Sequence, residues 1–288
     1  MSSQTVAVLG AGGTMGLGMS RNIAQAGLTV RAWNRTRERA EPLEEDGITV
    51  VDSPTEAADG ADVVVTILSD ADAVQEVASQ FLPAAGDGAV WLQMSTIGAA
   101  GSDRCIAEAK DRGIAFVDAP VIGTKKPAEE GKLVVLASGP DEMRERVDPI
   151  LDAVGQRTLW VGDAGRGNRL KVAVNVWIVA LVEGAAESLA LAEGMGLDPK
   201  LVIDAVSGGP LDLPYLQIKG GMMLEREFPA SFKLELAAKD ARLAADAADG
   251  AGLDLPLVAA IAARLTAGAG EHGDKDMAAT YLVSAPER

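Results

Sequence analysis

The run VAVLGAGGTMGLGMSRNIAQAG, Val6 to Gly27, carries six glycines. Four apolar residues, Val6-Ala7-Val8-Leu9, stop at Gly10-Ala11-Gly12-Gly13, and beyond Met15 the apolar residues Met19, Ile23 and Ala26 recur at helical spacing. The pattern predicts a buried strand, a tight turn and a helix. Glycines in such a turn let backbone N–H groups approach a diphosphate, and the positive end of the helix dipole favours the anion. Two registers of the fingerprint fit. Gly10 and Gly12 begin a G-x-G-x-x-G frame with Met15 in the third glycine position, whereas Ala11, Gly13 and Gly16 fit A-x-G-x-x-G. Gly10, Gly12, Gly13, Thr14 and Met15 are the candidate phosphate contacts. A glycine motif alone is also what an ordinary α/β turn looks like, so its context decides.

The helix ends near Gly27, and Leu28 to Trp33 reads as a second strand, completing a unit of about 30 residues as a dinucleotide-binding fold requires. The end of that strand is where an acidic residue would bond a ribose 2′-hydroxyl; the sequence there is Asn34-Arg35-Thr36-Arg37. With no carboxylate at that spot, Arg35 supplies charge-assisted bonds to a 2′-phosphate and Thr36 a hydroxyl donor, so the expected cofactor is NADP.

The chain has 288 residues, enough for two domains and sizeable cores. A composition of 48% apolar and 24% charged residues marks a globular protein, and the net charge of −16 argues against a nucleic-acid groove, which needs a basic stripe. One cysteine, Cys105, allows no intramolecular disulfide, and with a single histidine, His272, there is no zinc-type ligand set. Cys105 reads as a packed helix residue. The first strand begins by about Thr5, which leaves no space for a signal peptide, and a cytoplasmic location is expected.

Further strands are expected at Asp62–Leu68, Ala89–Met94, Ala115–Asp118, Leu133–Ala137 and Thr158–Val161, with helices such as Gly101–Asp111 and Asp141–Ala153 between them. Alternating strands and helices predict a doubly wound α/β sheet of Rossmann type over residues 1–162. From there the pattern is helical only, so residues 163–288 are expected to form an all-α domain for substrate binding and dimerisation. Its first element is one long helix from about Gly167 to Gly194. A membrane-spanning reading fails because Lys171, Glu183, Glu187 and Glu193 leave only about a dozen uncharged residues against the roughly 20 needed. Further helices are expected near Pro199–Val206, Leu234–Gly250 and Leu255–Ala267, separated by Gly-Gly-Pro and Gly-Gly turns. Helices this rich in alanine and leucine exceed what one small domain can cover, so a homodimer or homotetramer is expected.

Five motifs in order resemble the β-hydroxyacid dehydrogenases that include 3-hydroxyisobutyrate dehydrogenase. They are Met15-Gly16 with Met19 and Asn22, "STI" at Ser95–Ile97, "DAPVIG" at Asp118–Gly123, "GRGNRLKVAVN" at Gly165–Asn175, and Lys239-Asp240. The resemblance spans nearly the whole chain. Within the family, "GTKKPAEEGKL" at Gly123–Leu133 is similar to the NADPH-dependent glyoxylate and succinic semialdehyde reductases, and Asn34 to Thr36 agree with that branch. The resemblance implies a reductase of small aldehyde or semialdehyde carboxylic acids with Lys171 as the catalytic residue. Lys239 would meet substrate or cofactor, and Ser95, Ile122, Gly123 and Thr124 would line the substrate. Leu68, Ser69 and Thr96 follow strand ends on the edge where such folds bind dinucleotide, so they are cofactor contacts by position as well.

Independently of the resemblance, a hydride added to a carbonyl carbon requires a proton donor at the oxygen, and a partly desolvated lysine in a cleft can be that donor. His272 offers no rival, since it falls in a polar Gly-Glu-His-Gly-Asp stretch read as a solvated turn. Asn175 lies one helical turn beyond Lys171 and can hold the substrate hydroxyl. One departure stands out: relatives usually have serine where this chain has Ile122, which removes a hydroxyl donor for a carboxylate and adds an apolar surface. An imine reductase-like NADPH oxidoreductase therefore stays open as an alternative, although such enzymes usually lack a lysine at the place of Lys171. A non-catalytic nucleotide-binding module is the second alternative, disfavoured by the joint presence of Lys171, Asn175 and Lys239. No nucleic-acid or membrane partner is expected.

Overall fold

Residues of β1 (Thr5–Leu9) alternate between two cores: Val6 and Val8 pack on one side of the sheet and Ala7 and Leu9 on the other. The same split holds for Val63 and Val65 against Val64 in β4 (Val63–Thr66), and for Val90 and Leu92 against Trp91 in β5 (Val90–Gln93). Strands covered on both faces must be apolar throughout, which is why these stretches read as uninterrupted runs. The computed structural model describes residues 4–285. It joins these strands with β2 (Thr29–Trp33), β3 (Thr49–Val50) and β6 (Ala115–Asp118) into a six-stranded parallel sheet of order β3-β2-β1-β4-β5-β6. This is the dinucleotide-binding order, and the Rossmann-type expectation holds. One face is covered by α1 (Gly16–Gln25) and the other by α2 (Pro54–Ala58), α3 (Ala71–Phe81) and α4 (Gly98–Asp111). Trp91 anchors the second face edge-on between Phe81 and Phe116, at 5.3 and 5.1 Å between ring centres.

The later strands do not extend that sheet. After β6 only Ala119 and Pro120 intervene before β7 (Val121–Ile122), too few for a parallel crossover. β7 instead pairs antiparallel with β8 (Leu133–Ala137), and β8 runs parallel to β9 (Gly155–Trp160) in a separate three-stranded sheet. α5 (Lys125–Glu129) and α6 (Arg144–Val154) connect its strands. Gly18 of α1 lies so close to α5 that a Cβ would sit 2.8 Å from the Ala128 carbonyl, and Asn22 Nδ2 donates to that carbonyl at 2.8 Å. The α5 segment is thereby tied to the helix that follows the glycine turn.

α7 (Arg166–Gly194) follows as a single helix of 29 residues. Packing divides the chain into two compact units inside it, Met1–Lys171 and Val172–Arg288. The second unit adds α8 (Lys200–Val206), α9 (Pro214–Glu225), α10 (Leu234–Gly250), α11 (Pro256–His272) and α12 (Tyr281–Ser284). Length and composition alone would let α7 cross a membrane, but Val179, Val182, Ala186 and Leu189 pack in the second unit's core with α10 and α11. Gly220-Gly221, read from sequence as a turn, lies inside α9, where a Cβ on Gly220 would stand 2.6 Å from the Ile203 side chain of α8. Gly220 permits close helix contact instead of reversing the chain. The buried Lys219, 1% exposed, pairs with Asp276 at 2.6 Å. His272 closes α11 with its side chain only 14% exposed, so it does not occupy the solvated turn expected for it.

The start of α7 is held by the first unit's interior. A Cβ on Gly167 would stand 2.3 Å from the Leu136 carbonyl and 2.9 Å from that of Asp118, so glycine alone allows this approach. Gly167 N then donates to Ser138 Oγ at 2.9 Å and Asn168 N to Asp118 Oδ2 at 2.7 Å. Asp118 is fully buried at the end of β6. Burial pushes its carboxyl up to about 6, against the hydrogen bonds from Asn168 and Gln93 that hold it down. The native protein therefore takes up this proton at higher pH than the unfolded chain does. The resulting stabilisation is complete below the ordinary aspartate range and disappears as pH rises through about 6. On lowering the pH from 7 to 5, urea unfolding should show the native protein gaining about 1 kcal/mol relative to Asp118→Asn, which lacks the titrating group. An identical pH dependence in the two proteins would contradict the assignment.

Candidate active site

The carboxyl ends of β2, β1, β4 and β5 are adjacent on one edge of the parallel sheet, and the loops that leave them carry most of the residues singled out from sequence. Gly10 to Met15 form the turn after β1. Gly10 has φ +99°, and a Cβ there would stand 2.2 Å from the Ile67 carbonyl. A Cβ on Gly16 would stand 2.2 Å from the Gly10 carbonyl, so Gly16 is the glycine that lets helix and strand pack closely. This answers the question of register: Gly10 makes the tight turn and Gly16 the close packing, with one more residue between them than the six-residue fingerprint has. Gly12 fills a further tight place, where a Cβ would meet the Asn34 side chain and the Arg39 backbone at 2.8 Å. No side chain caps α1 at Met15, and no acidic residue stands in its first turn. A glycine cradle before an uncapped helix start suits the diphosphate of a dinucleotide, so the residues present fit that cofactor.

After β2, Asn34 Nδ2 donates to the Thr36 carbonyl at 2.8 Å and shapes the turn that carries Arg35, which is exposed. Arg37 is committed elsewhere: its guanidinium donates to the Val50 carbonyl and pairs with Asp52 and Glu44. Among the described residues, Arg35 and Arg39 have no ion pair. Arg39 was not expected from sequence; its place over Gly12 arises because the chain after β2 folds back as a short 3-10 turn.

Leu68 and Ser69 follow β4, and Ser95 and Thr96 follow β5. Ser69 is exposed and its hydroxyl donates to Asp70 at 2.6 Å. Ser95, expected to meet substrate, is buried: its Oγ accepts from Leu68 N at 2.8 Å and lies 3.3 Å from the Thr66 carbonyl. Its hydroxyl thus ties two strand ends together. Ile122 ends β7 half-buried, paired with Val134 of β8. Gly123 follows with φ +136°, and Thr124 leads into α5.

Lys171 stands in the first turns of α7 and is only 7% exposed. Asn168, one turn before it, is a residue that the sequence reading passed over. Its Nδ2 donates to Asp118 Oδ1 at 2.6 Å and to the Ser95 carbonyl at 3.2 Å. Its Oδ1 accepts from Ile97 N and Gly98 N at the start of α4, at 2.9 and 3.1 Å. Arg169 adds an ion pair to Asp103 of α4 at 2.8 Å. The Asn168 link joins positions 70 and 71 residues apart, so no local pattern announces it.

In the second unit, Asn175 is buried on α7 and its Nδ2 donates to Asp240 Oδ2 of α10 at 2.7 Å. A carboxylate only accepts, which fixes the amide with its nitrogen toward Asp240. Asn175 Oδ1 is left buried with no hydrogen-bond partner among the described residues. Lys239 pairs with the same aspartate at 2.9 Å. Cys105 is buried in α4, where burial pushes its thiol up to about 12; at that value it is no nucleophile at neutral pH.

Comparisons with known proteins agree with this geometry. The NAD-binding domain of 6-phosphogluconate dehydrogenase matches residues 5–162, and the NAD-binding domain of NADP-dependent 3-hydroxyisobutyrate dehydrogenase matches 165–284. The chain is 33% identical over 253 residues to glyoxylate/succinic semialdehyde reductase 2, chloroplastic, of Arabidopsis thaliana, covering 86% of this chain and 70% of the relative. It is also 33% identical over 251 residues to glyoxylate/succinic semialdehyde reductase 1 of the same plant, covering 86% and 87%. Among solved structures, 3-hydroxyisobutyrate dehydrogenase of Mycobacterium tuberculosis with L-serine superposes with a TM-score of 0.88 at 28% identity, covering 98% of this chain and 99% of that one. The glycine turn, the strand order and these matches over both parts of the chain make it a member of the β-hydroxyacid dehydrogenase family, an NAD(P)-dependent oxidoreductase.

Proposed function

We propose that the protein reduces a small aldehyde or semialdehyde carboxylic acid, such as glyoxylate or succinic semialdehyde, to the hydroxy acid with NADPH. The observation that carries this reading is the burial of Lys171 one helical turn after the pinned Asn168, in the unit that also holds the glycine cradle. A buried ammonium has a purpose if it gives up its proton, and the carbonyl oxygen of a substrate under reduction needs one. The bound cofactor would supply the hydride. Lys171 Nζ donates a proton to the oxygen, the C=O bond becomes CH–OH, and the lysine leaves neutral and is reprotonated from solvent. In the second unit, the buried Asn175 Oδ1 is an acceptor of the kind a hydroxyl hydrogen can meet. Gly123 and Thr124 stand ready for the carboxylate by backbone and hydroxyl, while Ile122 offers it nothing polar.

Assaying NADPH oxidation with glyoxylate, succinic semialdehyde and a cyclic imine in parallel tests the reading. An acid should be the better substrate, and Lys171→Ala should cut its kcat by about two orders of magnitude with NADPH affinity nearly unchanged. Faster turnover of the imine, or a fully active alanine variant, would overturn it.

The preference for NADPH rests on Arg35, an exposed guanidinium without an ion pair among the described residues, at a strand end that has no acid. Arg35→Ala should lower the ratio of kcat/KM for NADPH over NADH by about tenfold. Equal use of both cofactors by the unaltered enzyme would remove the basis for this role.

A second copy of the chain is the partner we propose for α7. Trp177 and Leu191 are 63% and 62% exposed on that helix, and their separation of 14 residues returns to nearly the same face after four turns. Light scattering should give at least twice the 29.6 kDa of one chain, and a monomer at micromolar concentration would refute the assembly.

A further inference from the structure

The first unit contains a polar centre that no step of the proposed reaction uses directly. It begins at the Asp118 carboxylate, which is fully buried at the end of β6. Asp118 Oδ2 accepts from the backbone N–H of Asn168, and Asp118 Oδ1 accepts from the Asn168 side-chain amide. The first is a helix cap supplied from a strand 50 residues away, with a full negative charge where the α7 dipole is positive. Asn168 then caps a second helix, since its Oδ1 accepts from Ile97 N and Gly98 N, the first donors of α4. No side chain local to α4 does this, because its cap position is Ile97.

The amide can serve both ends in one orientation only. Its nitrogen must face the carboxylate, which cannot donate, and its oxygen then faces the two N–H groups, which cannot accept. Gln93 supports the arrangement by donating to the Ser95 carbonyl at 2.9 Å, the same oxygen that receives Asn168 Nδ2. Two positions important to the proposed reaction leave from this centre. Thr96 directly follows Ser95 at the cofactor edge, and Lys171 lies three residues beyond Asn168, on the same side of α7.

We propose that Asp118 and Asn168 are a positioning pair: they fix the first turn of α7 to the start of α4, and so set where the Lys171 amine stands relative to the Ser95–Thr96 edge. The inference rests on the reading of Lys171 as proton donor. Neither residue touches substrate in this role; each acts through the backbone it holds. A displacement of about 1 Å in a proton donor can cost on the order of a hundredfold in rate, whereas the glycine turn after β1 and the strand end carrying Arg35, where most of the expected cofactor contacts lie, are formed without this pair.

Exchanging the two side chains tests it. In Asp118→Asn two amide donors face each other, and in Asn168→Asp two carboxylates do. In the double variant Asp118→Asn/Asn168→Asp, the introduced amide donates to the introduced carboxylate, which can still accept from Ile97 and Gly98. With the best acid of the substrate panel, each single variant should lose kcat by at least about tenfold while the NADPH dissociation constant, read by fluorescence, stays within about twofold. The double variant should regain most of the kcat, to within about threefold of the unaltered enzyme. Single variants that melt earlier yet keep kcat would make the pair purely structural and overturn the proposal. So would a double variant no better than the worse single one. Should the single variants fail to fold, the double variant decides alone: folded and active supports the pairing, folded with kcat lost or not folded refutes it. Lys171→Ala measured alongside separates the two claims. If it keeps kcat, the proton-donor reading falls and takes the pair's role with it; if it loses kcat while the pair variants do not, only the pair's role falls.

Discussion

A carboxylate at the end of one strand accepts from the backbone of a helix that begins 50 residues later, and both partners are buried. The arrangement has to overcome the cost of holding a charge away from water, which the elevated position of the Asp118 carboxyl records. What offsets that cost is the donor set: a backbone N–H and an amide of Asn168 at 2.7 and 2.6 Å, with Gln93 at 3.4 Å. The approach is possible only because Gly167 has no side chain to meet the carbonyls of Leu136 and Asp118. Remove any one of the three, the glycine, the acid or the amide, and the helix that carries Lys171 no longer has a defined starting point.

Helix starts along the carboxyl edge of the parallel sheet are treated unequally. Each leaves backbone N–H groups that its own turns cannot satisfy. α2 is capped by Ser53 and α3 by Asp70, both local and readable as sequence signals. α4 is capped by Asn168 from the far side of the chain. α1, which follows the glycine turn, has no side-chain cap and no acid in its first turn. An acid there would repel a diphosphate, and a bulky residue at Gly12 would collide with Asn34 and Arg39 before any ligand arrived. The binding edge is thus marked by what has been kept off one helix as much as by what has been placed on it.

The sequence was most informative where the physics is local. The buried strands showed as apolar runs because both faces of the sheet are covered, and the missing acid after β2 showed because its expected place is set by strand length. Reading failed where one local signal serves two purposes. Gly220-Gly221 has the composition of a turn, yet the absence of a Cβ at Gly220 serves equally to bring α9 against α8. Val121–Ile122 is too short to announce a strand, and without it the separate sheet of β7, β8 and β9 could not be told from a continuation of the first. Ser95 illustrates a third case. A serine after a strand at the binding edge suggests a ligand contact, and sequence gives no sign that its hydroxyl also accepts from Leu68 N between strand ends. The Asp118–Asn168 link was beyond reach for the opposite reason: both residues stood in quoted motifs, but nothing in either motif names the other.

The same device occurs twice along α7 with different outcomes. Asp118 takes the nitrogen end of the Asn168 amide, and Asp240 takes that of Asn175, seven residues or two turns further on. In each case an acceptor-only carboxylate dictates which way the amide points. At Asn168 the oxygen so presented is fully used, by two N–H groups of α4. At Asn175 the oxygen is buried and accepts from nothing among the described residues. Burying an acceptor without a partner costs about 1 to 3 kcal/mol, and the cost is recovered when a hydroxyl or ammonium donates to it. One amide is therefore closed and holds the helix in place. The other is oriented just as firmly by Asp240, and its oxygen is left as a buried acceptor that no group among the described residues uses.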